Sequence, residues 1–278
     1  MNLHITNSLQ KIARYTRPPD PSFRGITVQG VTWINRIDLT FLSHPKKIMN
    51  QVLLLGIRLL HLPKTSIPPP TPYIITPMKP ESPLTIPGHF WQANSYLVGN
   101  TLIDAGIDPE RIIPYKDQIQ NIVLTHGHFD HTVHANEIAN LTGAEIYIGE
   151  FDLPFLTDSA LSLSTHFGSP QIPIPARPLK EGDVIDGFTV YHTPGHTGGS
   201  ICLFREEDGV LIAGDTVFPE GSYGRYDFPT GSLAALRDSV SRMAELSVDS
   251  LWSGHGEPVI SGAKAHVALS KRNLEFGF

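Results

Sequence analysis

The chain has 278 residues, of which 40% are hydrophobic and 17% are charged, a composition typical of a globular protein with a sizeable core. No run of about 18 uncharged apolar residues occurs, so the sequence predicts no transmembrane helix. The single cysteine, Cys202, excludes an internal disulfide framework and favours a reducing compartment, for which we expect the cytoplasm. Cys202 lies in an apolar run, which predicts a buried thiol and not a nucleophile.

Charge divides the chain into two segments. Residues 1–77 hold nine Lys and Arg against two acidic residues, a net charge of +7 that leaves −13 for residues 78–278. They also hold ten of the 24 prolines, which favour an extended chain over a packed core. This basic, proline-rich N-terminal extension has three open interpretations: a targeting presequence, a weakly ordered arm, or non-native upstream sequence that ends at Met78. We favour the last because the composition changes at Met78, and we expect residues 78–278 to form one domain.

From Gly88 onward, short apolar runs alternate with turn signals. Strands are predicted at 89–98 and 101–104 around a hairpin turn, then a strand at 121–124, a helix at 133–141 and a strand at 145–148. Four prolines in residues 150–177 predict an irregular excursion, of the kind that often forms a lid or pocket wall. Strands follow at 188–191, 200–204 and 210–212, then a helix at 233–245 and a strand at 249–252. This alternation indicates an α/β layered fold.

Four potential metal ligands occur within six residues, directly after the strand predicted at 121–124: His126, His128, Asp130 and His131. Alternate residues of an extended segment point the same way, so His126 and His128 can face one metal. The chain then turns, and Asp130 and His131 can face a second position nearby. Imidazoles together with a carboxylate suit zinc, iron or manganese.

Three further candidate ligands each follow a predicted strand and are flanked by glycine: His196, Asp215 and His255. Glycine lets the backbone turn sharply and approach a ligand closely. Among the eight other histidines, we expect four that fit no such pattern to lie on the surface or to be hydrogen-bonded. They are His89, His134, His166 and His192.

These motifs resemble those of the metallo-β-lactamase-fold hydrolases, and specifically of their glyoxalase II-like branch, over residues 80–262. The resemblance implies a four-layer αββα sandwich in which two metals lie at one edge between the sheets. It implies that one metal is held by His126, His128 and His196 and the second by Asp130, His131 and His255, with Asp215 bridging. Asp104 matches a position that supports the ligands from behind.

The reaction implied by this resemblance is metal-dependent hydrolysis of a small-molecule thioester or related ester by a hydroxide shared between two metals, as in hydroxyacylglutathione hydrolases. Zinc is the favoured metal, with iron and manganese as alternatives, and Asp130 and Asp215 are the expected catalytic carboxylates. Asp215 at the bridging position argues against the lactamases that carry a cysteine there. Only 23 residues follow His255, fewer than the C-terminal helical domain with which glyoxalase II binds glutathione, so glutathione dependence stays open.

A second segment, Gly224–Phe228, resembles the Gly-Arg-x-Asp-Phe stretch of glyoxalase II-like hydrolases and of the related persulfide dioxygenases. We expect Arg225 and Asp227 to pair and to fix this loop beside the site. The main alternative function is therefore a mononuclear iron persulfide dioxygenase, which would use His126, His196 and Asp215. Phe129 counts against it, because those enzymes tend to carry alanine there.

Two further alternatives are a metal-dependent nuclease and a binding protein without activity. The net charge of −13 on residues 78–278 disfavours a nucleic acid as partner. The complete set of seven candidate ligands disfavours a protein without catalytic function. The sequence therefore predicts a metal-dependent enzyme that acts on a small molecule.

Overall fold

The computed structural model describes residues 82–277, and the extension predicted at 1–77 lies outside them. Within this range the strands form two sheets. In the first sheet the spatial order follows the chain: β1 Leu84–Ile86, β2 Ser95–Val98, β3 Thr101–Ile103, β4 Asn121–Leu124, β5 Glu145–Gly149 and β6 Arg177–Leu179. In the second sheet the strands are again spatial neighbours in chain order: β7 Val184–Ile185, β8 Phe188–His192, β9 Ile201–Arg205, β10 Val210–Gly214 and β11 Ser250–Ser253.

Within residues 82–277, three helices of eight or more residues cover the sheets: α1 Ala135–Thr142, α2 Leu233–Glu245 and α3 Lys264–Phe276. Ser232 starts α2, because its side chain accepts a hydrogen bond from the Ala235 N–H. Shorter helical segments occur at Pro109–Tyr115, Phe129–Thr132, Glu150–Leu156, Ser164–Phe167 and Pro219–Gly221. Among residues 82–277, no helix is long and apolar enough to cross a membrane.

Alternating side chains along the strands build four layers. In β3, Leu102 packs with residues of α1, whereas Ile103 packs with residues of the second sheet. In β10, Leu211 packs with residues of α2 and α3, whereas Ile212 faces the first sheet. Each sheet is therefore covered by helices on one face and by the other sheet on its second face. The predicted four-layer αββα sandwich is confirmed.

The strand predicted at 121–124 and the helix predicted at 233–245 are confirmed at both ends. The strand predicted at 89–98 is wrong in its first half: residues 88–94 form a loop that closes when the Gly88 N–H donates to Asn94 Oδ1. The other predicted elements occur with ends shifted by one or two residues. The sequence patterns missed β1, β6, β7 and α3. Strand β6 contains Pro178, which an edge strand tolerates.

The layer between the sheets yields a stability prediction. Leu203 is fully buried there, whereas Leu141 near the end of α1 is 40% exposed. Leu203→Ala should lower the free energy of unfolding by about 2–5 kcal/mol, since it removes buried surface and leaves a cavity. Leu141→Ala should change it by less than about 0.5 kcal/mol. Urea denaturation of both variants measures the difference, and equal losses would contradict the assigned layers.

Candidate metal centre

The candidate ligands lie where strands of both sheets end. His126 and His128 follow β4, Asp215 follows β10 and His255 follows β11. Strands β10 and β11 run parallel, so their carboxyl ends meet at one edge of the sheet. His196 lies on the loop from β8 to β9. The two sheets are linked at this edge, because the Ile201 N–H donates to the Thr125 carbonyl oxygen at 2.9 Å.

Three imidazoles form the first group: His126, His128 and His196. All three are almost completely buried. The Nε2 atom of His126 lies 3.1 Å from Nδ1 of His128, which lies 2.9 Å from Nε2 of His196. Burial lowers the pKa of His128 to about 3 and that of His126 well below its usual value, and the neighbouring histidines add to the effect. These two rings are therefore neutral at pH 7, which is the form that binds a metal.

The second group consists of Asp130, His131 and His255. The Oδ2 atom of Asp130 lies 3.1 Å from Nε2 of His255 and 3.8 Å from Nε2 of His131. Burial alone would raise the pKa of the Asp130 carboxyl, but the adjacent His131 and His255 hold it below its usual value. Asp130 is therefore a carboxylate at neutral pH.

Asp215 joins the two groups. Its Oδ1 atom lies 3.3 Å from Nε2 of His131, and its Oδ2 atom lies 3.6 Å from Nε2 of His196 and 3.7 Å from Nε2 of His255. Burial raises the pKa of this carboxyl, but His131, His196 and His255 outweigh that effect and keep Asp215 ionised. All seven side chains that the sequence predicts as ligands thus lie in one cluster.

Unpaired polar atoms in this cluster indicate what it is built to hold. Among residues 82–277, buried atoms without a hydrogen-bond partner include His131 Nε2 and Asp215 Oδ1, which lie 3.3 Å apart inside the cluster. Buried polar atoms are normally hydrogen-bonded, because leaving one unpaired costs about 1–3 kcal/mol. Both atoms are metal-ligating types, and their side chains form a candidate metal group with His126. The donor set of imidazoles and carboxylates therefore fits divalent metal ions.

Gly254 shows how closely the backbone approaches the centre. A Cβ atom at this position would lie 2.2 Å from Asp215 Oδ1 and 2.5 Å from the His131 ring. No residue other than glycine fits there without moving these two side chains. The glycine that flanks His255 in the sequence therefore has a steric role at the site.

The resemblance implied that Asp104 supports the ligands, and its contacts agree. Asp104 is buried, and its Oδ2 atom lies 2.8 Å from Nδ1 of His131, so the opposite ring nitrogen points into the cluster. Its Oδ1 atom accepts the Thr125 N–H at 2.8 Å. On the other side, Nδ1 of His196 donates to the Arg225 carbonyl oxygen at 2.6 Å. Such contacts fix the orientation of ligating rings.

The predicted pair of Arg225 and Asp227 is confirmed. The guanidinium donates two hydrogen bonds to the carboxylate, Nε to Oδ1 at 2.9 Å and Nη2 to Oδ2 at 2.7 Å. It also lies over the ring of Phe228, 4.1 Å from the centroid, and that ring lies 5.5 Å from the ring of His128. The pair therefore fixes a loop that forms one wall of the centre.

Three supporting residues were not predicted. The Asn94 Nδ2 atom donates to the Gly256 carbonyl oxygen at 2.8 Å, and the Tyr96 hydroxyl donates to that of Ser253 at 2.5 Å. Together they fix the backbone on both sides of His255. Asp152, in the proline-rich excursion, is fully buried and bonded to two ligand loops. A polar residue within an apolar run, such as Tyr96 in β2, can indicate a supporting residue in the sequence. The run does not indicate which group that residue contacts.

Cys202 and the histidines outside the motifs lie as predicted. Cys202 is fully buried, and this burial raises the pKa of its thiol to about 11, so it is not a nucleophile at neutral pH. His89 and His166 are exposed. His134 lies beside Glu137, and His192 Nε2 lies 2.9 Å from the Gly198 carbonyl oxygen. None of these four histidines belongs to a candidate metal group in residues 82–277.

Comparison with known proteins gives the same family as the geometry. The family model described as the metallo-beta-lactamase superfamily matches residues 88–262, more than half of the chain. The hydroxyacylglutathione hydrolase GloC of Haemophilus influenzae is 33% identical over 189 residues, which cover 62% of this chain and 89% of GloC.

Two solved structures share the fold. TTHA1623 in a di-iron-bound form is 32% identical with a TM-score of 0.59, and the match covers 69% of this chain and 98% of that one. The B3 metallo-beta-lactamase BLEG-1 is 27% identical with a TM-score of 0.60, and the match covers 70% of this chain and 99% of that one. The fold of this family implies divalent metal ions. This chain belongs to the metallo-beta-lactamase superfamily and is a metal-dependent hydrolase.

Proposed function

We propose that this chain is a dinuclear hydrolase of the glyoxalase II-like branch, which cleaves a thioester or a related ester. The observation that carries the proposal is the position of Asp215, whose two oxygens reach both groups of candidate ligands. A carboxylate in that position can be shared by two ions. We assign one ion to His126, His128 and His196 and the second to Asp130, His131 and His255, with Asp215 common to both.

When bound, divalent ions lower the pKa of water toward neutrality and polarise a carbonyl oxygen. Zinc is our proposed metal, although iron and manganese suit the same donors, and TTHA1623 has been solved in a di-iron-bound form. Asp130, a carboxylate held 3.1 Å from His255, is placed to orient the attacking water. Addition of that water to the acyl carbon forms a C–O bond, the C–S bond then breaks, and a proton of the water passes to the departing thiolate. The products are a carboxylic acid and a thiol.

The thioester proposal is supported by the similarity to GloC, a hydroxyacylglutathione hydrolase. Whether the thiol of such a substrate is glutathione depends on the charged residues beside the centre. Arg225 beside the centre is already neutralised by Asp227, so this loop presents no net charge to the carboxylates of glutathione. We therefore propose a small thioester as substrate and do not require glutathione as its thiol.

Two other reactions compete with this proposal. A mononuclear iron dioxygenase would need only His126, His196 and Asp215, yet Asp130, His131 and His255 are also assembled against Asp215. Their assembly favours two ions over one. Lactam hydrolysis is the second candidate, since BLEG-1 shares the fold at 27% identity.

The activity assay uses S-lactoylglutathione and the matching S-lactoyl thioester of N-acetylcysteamine. Chelation should lower kcat/KM by more than about 100-fold, because metals supply several kcal/mol of transition-state stabilisation. Added zinc should restore it. Hydrolysis of a β-lactam in place of both thioesters would overturn the thioester assignment. Oxygen consumption with glutathione persulfide, dependent on one iron per chain, would overturn hydrolysis altogether.

Ligand variants test the assignment of two ions. Asp215→Asn should weaken the binding of both ions, because its carboxylate serves both groups. His255→Ala removes a ligand of the second group, so it should lower the affinity for one ion by about 100-fold or more and leave the affinity for the other ion unchanged. This loss of affinity is at or above that caused by removing a residue that only supports a ligand. The exposed His166→Ala is the matched control and should bind metal like the wild type. Calorimetric zinc titration of the metal-free proteins gives the stoichiometry, and an Asp215→Asn variant that loses only one ion would contradict the shared position.

A further inference from the structure

Asp152 is a buried carboxylate to which the sequence motifs and the proposed reaction assign no role. It lies in the helical segment Glu150–Leu156 and is fully buried. A buried carboxylate is costly unless its oxygens are hydrogen-bonded, so its partners show what it is there to hold. Burial raises the pKa of this carboxyl in spite of its hydrogen bonds to Thr197, Gly127 and Gly199.

Three donors converge on this carboxylate, and all come from the two loops of the first ligand group. The Gly127 N–H donates to Oδ2 at 2.9 Å, and the Thr197 hydroxyl donates to the same oxygen at 2.7 Å. The Gly199 N–H donates to Oδ1 at 2.7 Å. Gly127 lies between His126 and His128, and Thr197 directly follows His196. One side chain therefore connects the backbone beside all three imidazoles.

The chemistry of these donors requires a carboxylate. Two of them are backbone N–H groups, which cannot become acceptors. An asparagine would turn its own NH₂ group toward at least one of these donors. The close fit around Gly199 adds a steric limit, because a Cβ atom there would lie 2.3 Å from the Asp152 nitrogen and 2.6 Å from Oδ1.

We propose that Asp152 is a positioning residue that sets the spacing of His126, His128 and His196 for one of the two metal ions. This inference rests on the ligand assignment proposed above. Its hydrogen bonds reach the first group alone, whereas the second group is held by Asp104 at His131 and by Asn94 and Tyr96 around His255. Loss of the Asp152 contacts should therefore weaken the binding of the ion in the first group and leave the binding of the other ion unchanged. A residue that served only stability would affect both ions equally or neither.

Zinc affinity measured by calorimetry on the metal-free full chain tests this proposal. Asp152→Asn should weaken one of the two binding events by about 10–100-fold and leave the other unchanged. In a His255→Ala background the first group holds the remaining ion, so adding Asp152→Asn should lower the affinity for that ion. The control is Asp158→Asn, because Asp158 accepts backbone N–H groups of Ala160 and Leu161 within the same excursion and bonds to neither ligand loop.

Two substitutions at Thr197 test the same proposal if Asp152→Asn does not fold. Thr197→Val removes one donor to Asp152, whereas Thr197→Ser keeps the hydroxyl. Thr197→Val should weaken the same ion, and Thr197→Ser should bind zinc like the wild type. Equal zinc affinity in both Thr197 variants, with only the Tm lowered, would overturn the positioning role. A wild-type chain that binds two zinc ions alongside that result leaves the proposed function standing, whereas a wild type that binds none overturns both.

Discussion

Five imidazoles and two carboxylates point into one small volume at the joint edge of two sheets. Two of their atoms, His131 Nε2 and Asp215 Oδ1, are buried without a hydrogen-bond partner, a condition that costs free energy unless a cation satisfies them. Burial keeps His126 and His128 neutral, while the neighbouring histidines keep Asp215 ionised. His126 and His128 are therefore neutral imidazoles and Asp215 is an anion, which are the forms of these side chains that bind divalent cations.

The rest of the fold serves to hold these donors in place. Strands β4, β10 and β11 end at the centre, and side chains of both sheets pack together behind them. Each group then has its own supports: Asp152 and the Arg225 carbonyl oxygen on the first, Asp104 and the Asn94–Tyr96 pair on the second. Because metal sites depend on such outer contacts, the two halves of the centre can be perturbed separately.

The ligands and the layered fold could be predicted from the sequence, because short apolar strands that stop at histidine or aspartate beside glycine form a local pattern. The supports could not, because their partners are distant in the chain. Asp152 bonds to backbone groups 25 and 47 residues away, and nothing in its proline-rich neighbourhood indicates those partners. Strand β6 was missed since its proline argues against a strand, and an edge position removes that objection. The loop at 88–94 was predicted as strand because its apolar residues suit one, although Asn94 closes it as a turn.

In our proposal, Asp215 joins two groups of ligands into one centre for two ions. The most direct measurement is the metal content of the purified full chain, determined by elemental analysis together with protein concentration. We expect about two divalent ions per chain, as in a two-metal hydrolase. A single tightly held ion per chain that no added metal raises to two would contradict it.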